Sequence, residues 1–264
     1  MSNQPAMRID PPAFLADPAL AAVMAALPDA RVVGGAVRNV LAGCAVTEVD
    51  LATPRTPEQV TEALQVAGIR AAPTGLDHGT VTAVADGRGY EVTTLRRDIE
   101  TDGRHAVVAF TDDWRADAAR RDFTINAMSL TRAGEVFDYF GGIGDLRAGI
   151  VRFVGDPATR IAEDYLRILR YFRFLARYAS GPADPGALAA IRAGLPGIAR
   201  LSVERVWSEL RRILSAPDPR AAVDLMADLG VFAMVLPEGV VPRGWRAWSR
   251  RMPRGTRCCA WRRC

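Results

Sequence analysis

Two acids set two residues apart, Glu48 and Asp50 in TEVDLAT, form the most chemically loaded spacing in the chain. On a strand, that spacing sends both side chains to one face. Like charges so placed repel unless a cation lies between them. Mg²⁺ suits such a pair, because it takes oxygen ligands and binds through one or two carboxylates together with substrate phosphates. Just upstream, Gly34 and Gly35 precede Arg38 in GGAVRN. Residues without a Cβ let the backbone turn sharply and approach a ligand closely. The helix they open offers N–H groups to phosphate, and a guanidinium near its start can grip phosphate oxygens. Together these groups point to metal-dependent phosphoryl or nucleotidyl transfer. Taken singly each has a plainer reading, the glycine pair as a turn and the acids as a solvated strand edge.

Positioning these groups calls for a strand ending at Val33, a helix over about residues 36–42, and a second strand carrying both acids. A further helix is expected over residues 56–68, with Thr56 as its cap, Pro57 in its first turn and Gly68 as its stop. Strands follow over 80–85 and 90–95, joined by DGRG. Alternation there puts Glu91 on one face, either as a third acid beside Glu48 and Asp50 or as a salt-bridged strand residue. Residues 96–110 are polar and read as a mobile loop. Neither His78 nor His105 has a metal-ligand partner at useful spacing. DWRADAARRDFTINAM, residues 113–128, reads as a helix and then an arginine-rich corner. Arg120, Arg121, Asp122 and Asn126 crowd that corner, as a salt-bridge corner or as ligand contacts. Residues 161–178 read as one helix with Tyr165, Ile168, Leu169, Phe172, Leu175 and Ala176 on an apolar arc. Arg167, Arg170, Arg173 and Arg177 fall opposite, with Asp164 beside them. Few acids lie among these arginines, which favours an anion or nucleotide over simple i,i+4 pairing.

The chain has 264 residues, enough for one large or two smaller domains with a real core. Hydrophobic residues make up 49% and charged residues 24%, ordinary for a globular protein. No segment reads as a membrane span or signal peptide, so the expected compartment is the cytoplasm. All 34 basic residues are arginine, eight of them between Pro242 and Cys264. Without that tail, 26 arginines face 30 acids, so any nucleic-acid surface on the body is a local patch. Three of the four cysteines also crowd the tail, at spacings unlike those of a zinc site.

GGAVRN, EVDLAT, RRDFTINAM, EDYLRILRYFRF and LSVERVWSEL occur in that order. The series resembles the class II CCA-adding tRNA nucleotidyltransferases and the related bacterial poly(A) polymerases over about residues 31–238. The resemblance implies an α+β protein with a DNA-polymerase-beta-like head, a mixed sheet with helices, followed by an all-α neck and body. Its divisions would be a helical lead-in over 1–30, the head over 31–150, the neck and body over 151–241, and an irregular basic tail over 242–264. By resemblance Glu48 and Asp50 are the catalytic, metal-binding acids, with Mg²⁺ as cofactor. Gly34, Gly35 and Arg38 would hold the triphosphate, Arg121 would contact the nucleotide, and Asp164, Arg167, Arg170 and Arg173 would line the nucleotide-binding helix. The implied activity is template-independent addition of C and A to tRNA 3′ ends from CTP and ATP, with tRNA as partner. The alternatives are a poly(A) polymerase using ATP, or a nucleotide- and RNA-binding remnant of weak activity. Two positions depart from the family pattern: Glu48 stands where Asp is commoner, and Asn39 where Asp is usual. The pattern also stops near Pro237, so the tail is expected to be a truncated or out-of-frame end that does not pack.

Overall fold

The computed structural model describes residues 4–75, 79–102 and 105–236. His78 and the basic tail lie outside those residues. The chain divides into two compact units, the first holding residues up to 101 with 105–143, the second running on from Gly144.

The first unit is an eight-stranded mixed sheet with helices. In chain order its strands are β1 Met7–Arg8, β2 Arg31–Val33, β3 Asp50–Thr53, β4 Arg70–Gly75, β5 Thr80–Ala85, β6 Arg88–Thr94, β9 Met128–Leu130 and β10 Glu135–Asp138. Their order across the sheet is β1-β10-β9-β2-β3-β6-β5-β4. Every neighbouring pair is antiparallel except β3 and β6. Across the middle strands Val32, Leu51, Val92 and Leu130 form one register row, and all four are wholly buried. β5 and β6 meet at Asp86 and Gly87, both left-handed at φ 50° and 72°, the backbone that a tight two-residue hairpin requires.

Helix α1, Pro18–Ala26, starts where Asp17 Oδ1 accepts from Ala19 N and Leu20 N. It buries Leu20, Val23 and Met24 and packs against β5. Helix α2 spans Gly35–Leu41. Helix α3, Pro57–Val66, opens with a reciprocal cap, in which Gln59 N donates to Thr56 Oγ1 and Thr56 N to Gln59 Oε1. Helix α4 spans Trp114–Ala119. Arg31, buried in β2, stacks over both Trp114 and Phe137, 4.1 and 3.7 Å from the ring centres. The expected loop over 96–110 is instead a hairpin, β7 Arg96–Asp102 with β8 His105–Phe110, outside the main sheet. Overall polarity misled there; HAVVAF carries β-branched residues suited to a strand.

The second unit is helical. Helix α5, Gly142–Ala148, leads into it; then come α6 Pro157–Glu163, α7 Leu166–Tyr178, α8 Pro185–Gly194, α9 Val203–Leu214, α10 Arg220–Leu229 and α11 Val231–Val235. Helix α7 is its spine, touching α6, α9 and α10. Tyr171 and Phe172 are fully buried, and Phe153 stacks on Tyr171 at 5.8 Å. The expected continuous helix over 161–178 breaks at Asp164, whose backbone is extended (φ −155°) and whose Oδ1 accepts from Leu166 N at 3.1 Å. Among the described residues no helix is long and apolar enough to cross a membrane.

Candidate active site

The site in the first unit begins where β2 runs out. Val33 pairs with Asp50 of β3 on one side and with Ser129 of β9 on the other. Gly34 then turns with φ 66° into α2. A Cβ on Gly34 would stand 3.2 Å from Arg121 Nη1, so conformation and close approach both call for glycine there. Four residues on, Arg38 is buried at 8% exposure. Its Nη1 donates to Asn126 Oδ1, and its Nε and Nη2 donate to Asn39 Oδ1 at 3.2 and 2.9 Å.

The two acids sit differently from their expected places on one strand. β3 starts at Asp50, and Glu48 lies in the segment before it. They are still neighbours electrostatically. Burial raises the Asp50 carboxyl above its ordinary pKa, the charges of Glu91 and Glu48 push it the same way, and Arg121 pulls it back. Glu91, left open between two readings, therefore belongs with the pair. The parallel register of Leu51 with Val92 explains why, since it sets Glu91 in the row beside Asp50. An open pocket of about 1140 Å³ reaches Glu48, Asp50 and Glu91, with Asp17, Arg88 and Tyr90 among its other walls. Within it Asp17 accepts from Arg88 Nη1 at 2.7 Å and from the Tyr90 hydroxyl at 3.2 Å.

Behind the glycine turn stands the arginine-rich corner. Asp117 on α4 is 3% exposed and accepts from Arg120 Nε at 2.8 Å, Arg121 Nη2 at 3.1 Å and Arg96 N at 3.3 Å. Burial pushes its carboxyl up, but Arg121 and Arg120 outweigh that and hold it below the ordinary range. Asp122 Oδ1 accepts from Phe123 N and Asn126 Nδ2. The corner is thus a salt-bridge corner, and its ion pairs hold Arg121 over Gly34. Asp117 escaped the sequence reading, although an acid four residues before Arg121 on a helix was a usable signal.

In the second unit, Asp164 and Arg167 flank the start of α7. Asp164 Oδ2 pairs with Arg205 Nη2 at 2.7 Å. Arg167 pairs with Glu163 and donates to the Arg160 carbonyl at 2.7 Å. Arg173 pairs with Glu209 at 3.0 Å, and Arg170 lies over the Phe174 ring. The expectation of few acids among these arginines is corrected here: Glu163 and Glu209 serve them, one a turn away and the other 36 residues along. The arginine side of α7 is half-buried at Arg167, Arg170 and Arg173, and exposed only at Arg177.

Residues 30–152 match the family model for the poly A polymerase head domain, and residues 184–240 match that for a probable RNA and SrmB-binding site of polymerase A. The chain is 46% identical over 225 residues to the mitochondrial CCA tRNA nucleotidyltransferase 1 of Danio rerio, covering 83% of this chain and 52% of that protein. Against its Homo sapiens counterpart the identity is 50% over 204 residues, 76% of this chain and 47% of that one. Among solved structures, the Bacillus stearothermophilus CCA-adding enzyme in complex with CTP superposes with a TM-score of 0.72 at 35% identity, over 81% of this chain and 52% of that one. The chain spans about half the length of the curated relatives it matches.

Proposed function

Because the chain belongs to the family of nucleotidyltransferases built on the poly A polymerase head domain, we propose that it adds C and A to tRNA 3′ ends, using CTP and ATP and releasing pyrophosphate. The observation that carries this reading is the crowding of Glu48, Asp50 and Glu91 beside Arg121, one residue from the glycine turn that also presents Arg38.

The donor set fits a hard divalent cation: Asp50, whose pKa burial and the neighbouring acids raise, is relieved by positive charge. Among the described residues no three of His, Cys, Asp or Glu are placed to hold a metal by themselves; Mg²⁺ is commonly held by one or two carboxylates together with substrate phosphates. Glu48 and Asp50 would hold it, with Glu91 beside them. When bound, it supplies Lewis acidity toward the RNA 3′-hydroxyl and the departing pyrophosphate. The chain's own groups do the rest. Arg38 and Arg121 bind triphosphate oxygens, and Gly34 and Gly35 let the backbone come close to them. Asp164 and Arg167 read the base edge. Cytosine and adenine both present an exocyclic amine beside a ring-nitrogen acceptor, so a carboxylate accepts from the first and a guanidinium donates to the second. Guanine and uracil show the reverse polarity. A carboxylate has about four acceptor positions, so the bonds from Leu166 N and Arg205 to Asp164 leave room for a base. Arg170 and Arg173 add positive charge along the same helix.

The deciding experiment incubates the chain with tRNA lacking CCA, giving CTP and ATP singly and together. Two C additions with CTP, then one A once ATP is present, support the reading. Long A runs from ATP alone indicate a poly(A) polymerase, which the names of the relatives do not favour. CTP binding without pyrophosphate release indicates a weakly active remnant. Cytoplasmic residence is proposed from the sequence; the vertebrate relatives are mitochondrial by name, and cell fractionation decides between the two.

A further inference from the structure

We propose that Asn39 is a positioning residue that ties Arg38 to the segment carrying Glu48. Asn39 is half-buried on α2 and uses both ends of its amide. Its Oδ1 accepts from Arg38 Nε and Nη2 at 3.2 and 2.9 Å, while its Nδ2 donates to the Ala45 carbonyl at 3.0 Å. Its backbone carbonyl accepts from Cys44 N at 2.8 Å. One residue therefore grips two consecutive members of the chain leaving the helix, and Glu48 follows three positions after Ala45. Residues 44–49 lie in neither helix nor strand, so their course depends on anchors of this kind.

An amide performs both tasks at once. A carboxylate of the same shape accepts from a guanidinium but cannot donate to a carbonyl. The side chain at this position thus sets the distance between a triphosphate-gripping arginine and an acid that repels Asp50.

The role assigned to Glu48 rests on the function proposed above, so the test separates the two. Backbone hydrogen exchange is followed by mass spectrometry in metal-free protein, and Mn²⁺ affinity is measured by titration. Asn39→Asp keeps the acceptor for Arg38 and loses the donor for Ala45. Amides of residues 44–49 then exchange faster, and Mn²⁺ binds about three- to tenfold more weakly, the range of one neutral hydrogen bond. The KM for CTP stays within about twofold, because the contact to Arg38 remains and such a change is under 0.5 kcal/mol. The added negative charge would by itself tighten a cation, so weaker binding is not an electrostatic side effect. Asn39→Ala loses both ends and raises the KM for CTP as well. Unchanged exchange of residues 44–49 in Asn39→Asp overturns the tether, as does a lowered Tm with no split between metal and CTP. Faster exchange with unaltered Mn²⁺ affinity upholds the tether and removes Glu48 from the metal ligands.

Discussion

A carboxylate crowded by two others burdens the fold that carries it. Asp50 holds its proton to higher pH folded than unfolded. Its contribution to stability is therefore full below the ordinary carboxylate value of 3.8 and drains away as pH rises through the elevated folded value. Asp50→Asn is expected to raise the metal-free Tm at pH 7 by calorimetry, with the advantage gone at pH 3, while abolishing nucleotide incorporation. Asp117 behaves in the opposite sense. Its depressed pKa stabilises above the ordinary value and that stability is lost as pH falls through the folded value. Asp117→Asn strips the carboxylate from Arg120 and Arg121 and is expected to cost roughly 3 kcal/mol in urea unfolding. It should also raise the KM for CTP more than it lowers kcat. At this scale spacing along the chain was a usable guide to which groups gather, since Gly34 does meet Arg121 and Asp50 does feel Glu48, although Glu48 lies before the strand and not on it. The sequence was illegible where partners are distant. Glu209 neutralises Arg173 from another helix, and no count of acids within α7 could find it.

Whole elements were easier to read than their interruptions. The capped helix α3, the hairpin of β5 and β6, and the apolar arc of α7 follow from caps, turn residues and period. The break at Asp164 does not, because Tyr165 and its neighbours keep helical periodicity while a side-chain cap ends the helix bonds. The residue after the break is tightly packed. A Cβ on Gly197 would come within 2.0 Å of the Tyr165 ring, and Tyr165 joins Asp164 to α7. Gly197→Ala is expected to cost about 1–3 kcal/mol through overpacking, lowering the Tm and admitting more UTP or GTP relative to CTP. Gly144→Ala in α5, where a Cβ meets nothing within 4 Å, serves as the control and should be neutral or slightly stabilising.

The molecule as a whole carries its charge unevenly. The complete chain has a formal charge of +4, and residues 1–241, with 26 arginines and 30 acids, have −4. Deleting residues 242–264 is therefore expected to weaken RNA binding and flatten its salt dependence, since each phosphate neutralised on a single strand contributes about −0.7 to the log–log slope. CTP affinity should not change; anisotropy titrations at several salt concentrations check both points. That deletion also leaves only Trp114 and Trp207 as indoles. Trp207 is 56% exposed on α9, whereas Trp114 packs on the cluster of Val33, Ala52 and Leu95, under Arg31. Val33 adjoins the glycine turn, and Ala52 stands two residues from Asp50. With Trp207 replaced by phenylalanine, the head would hold its own fluorophore behind the strands that carry Asp50 and the glycine turn, and emission alone would report, without label or substrate turnover, when something settles beside them.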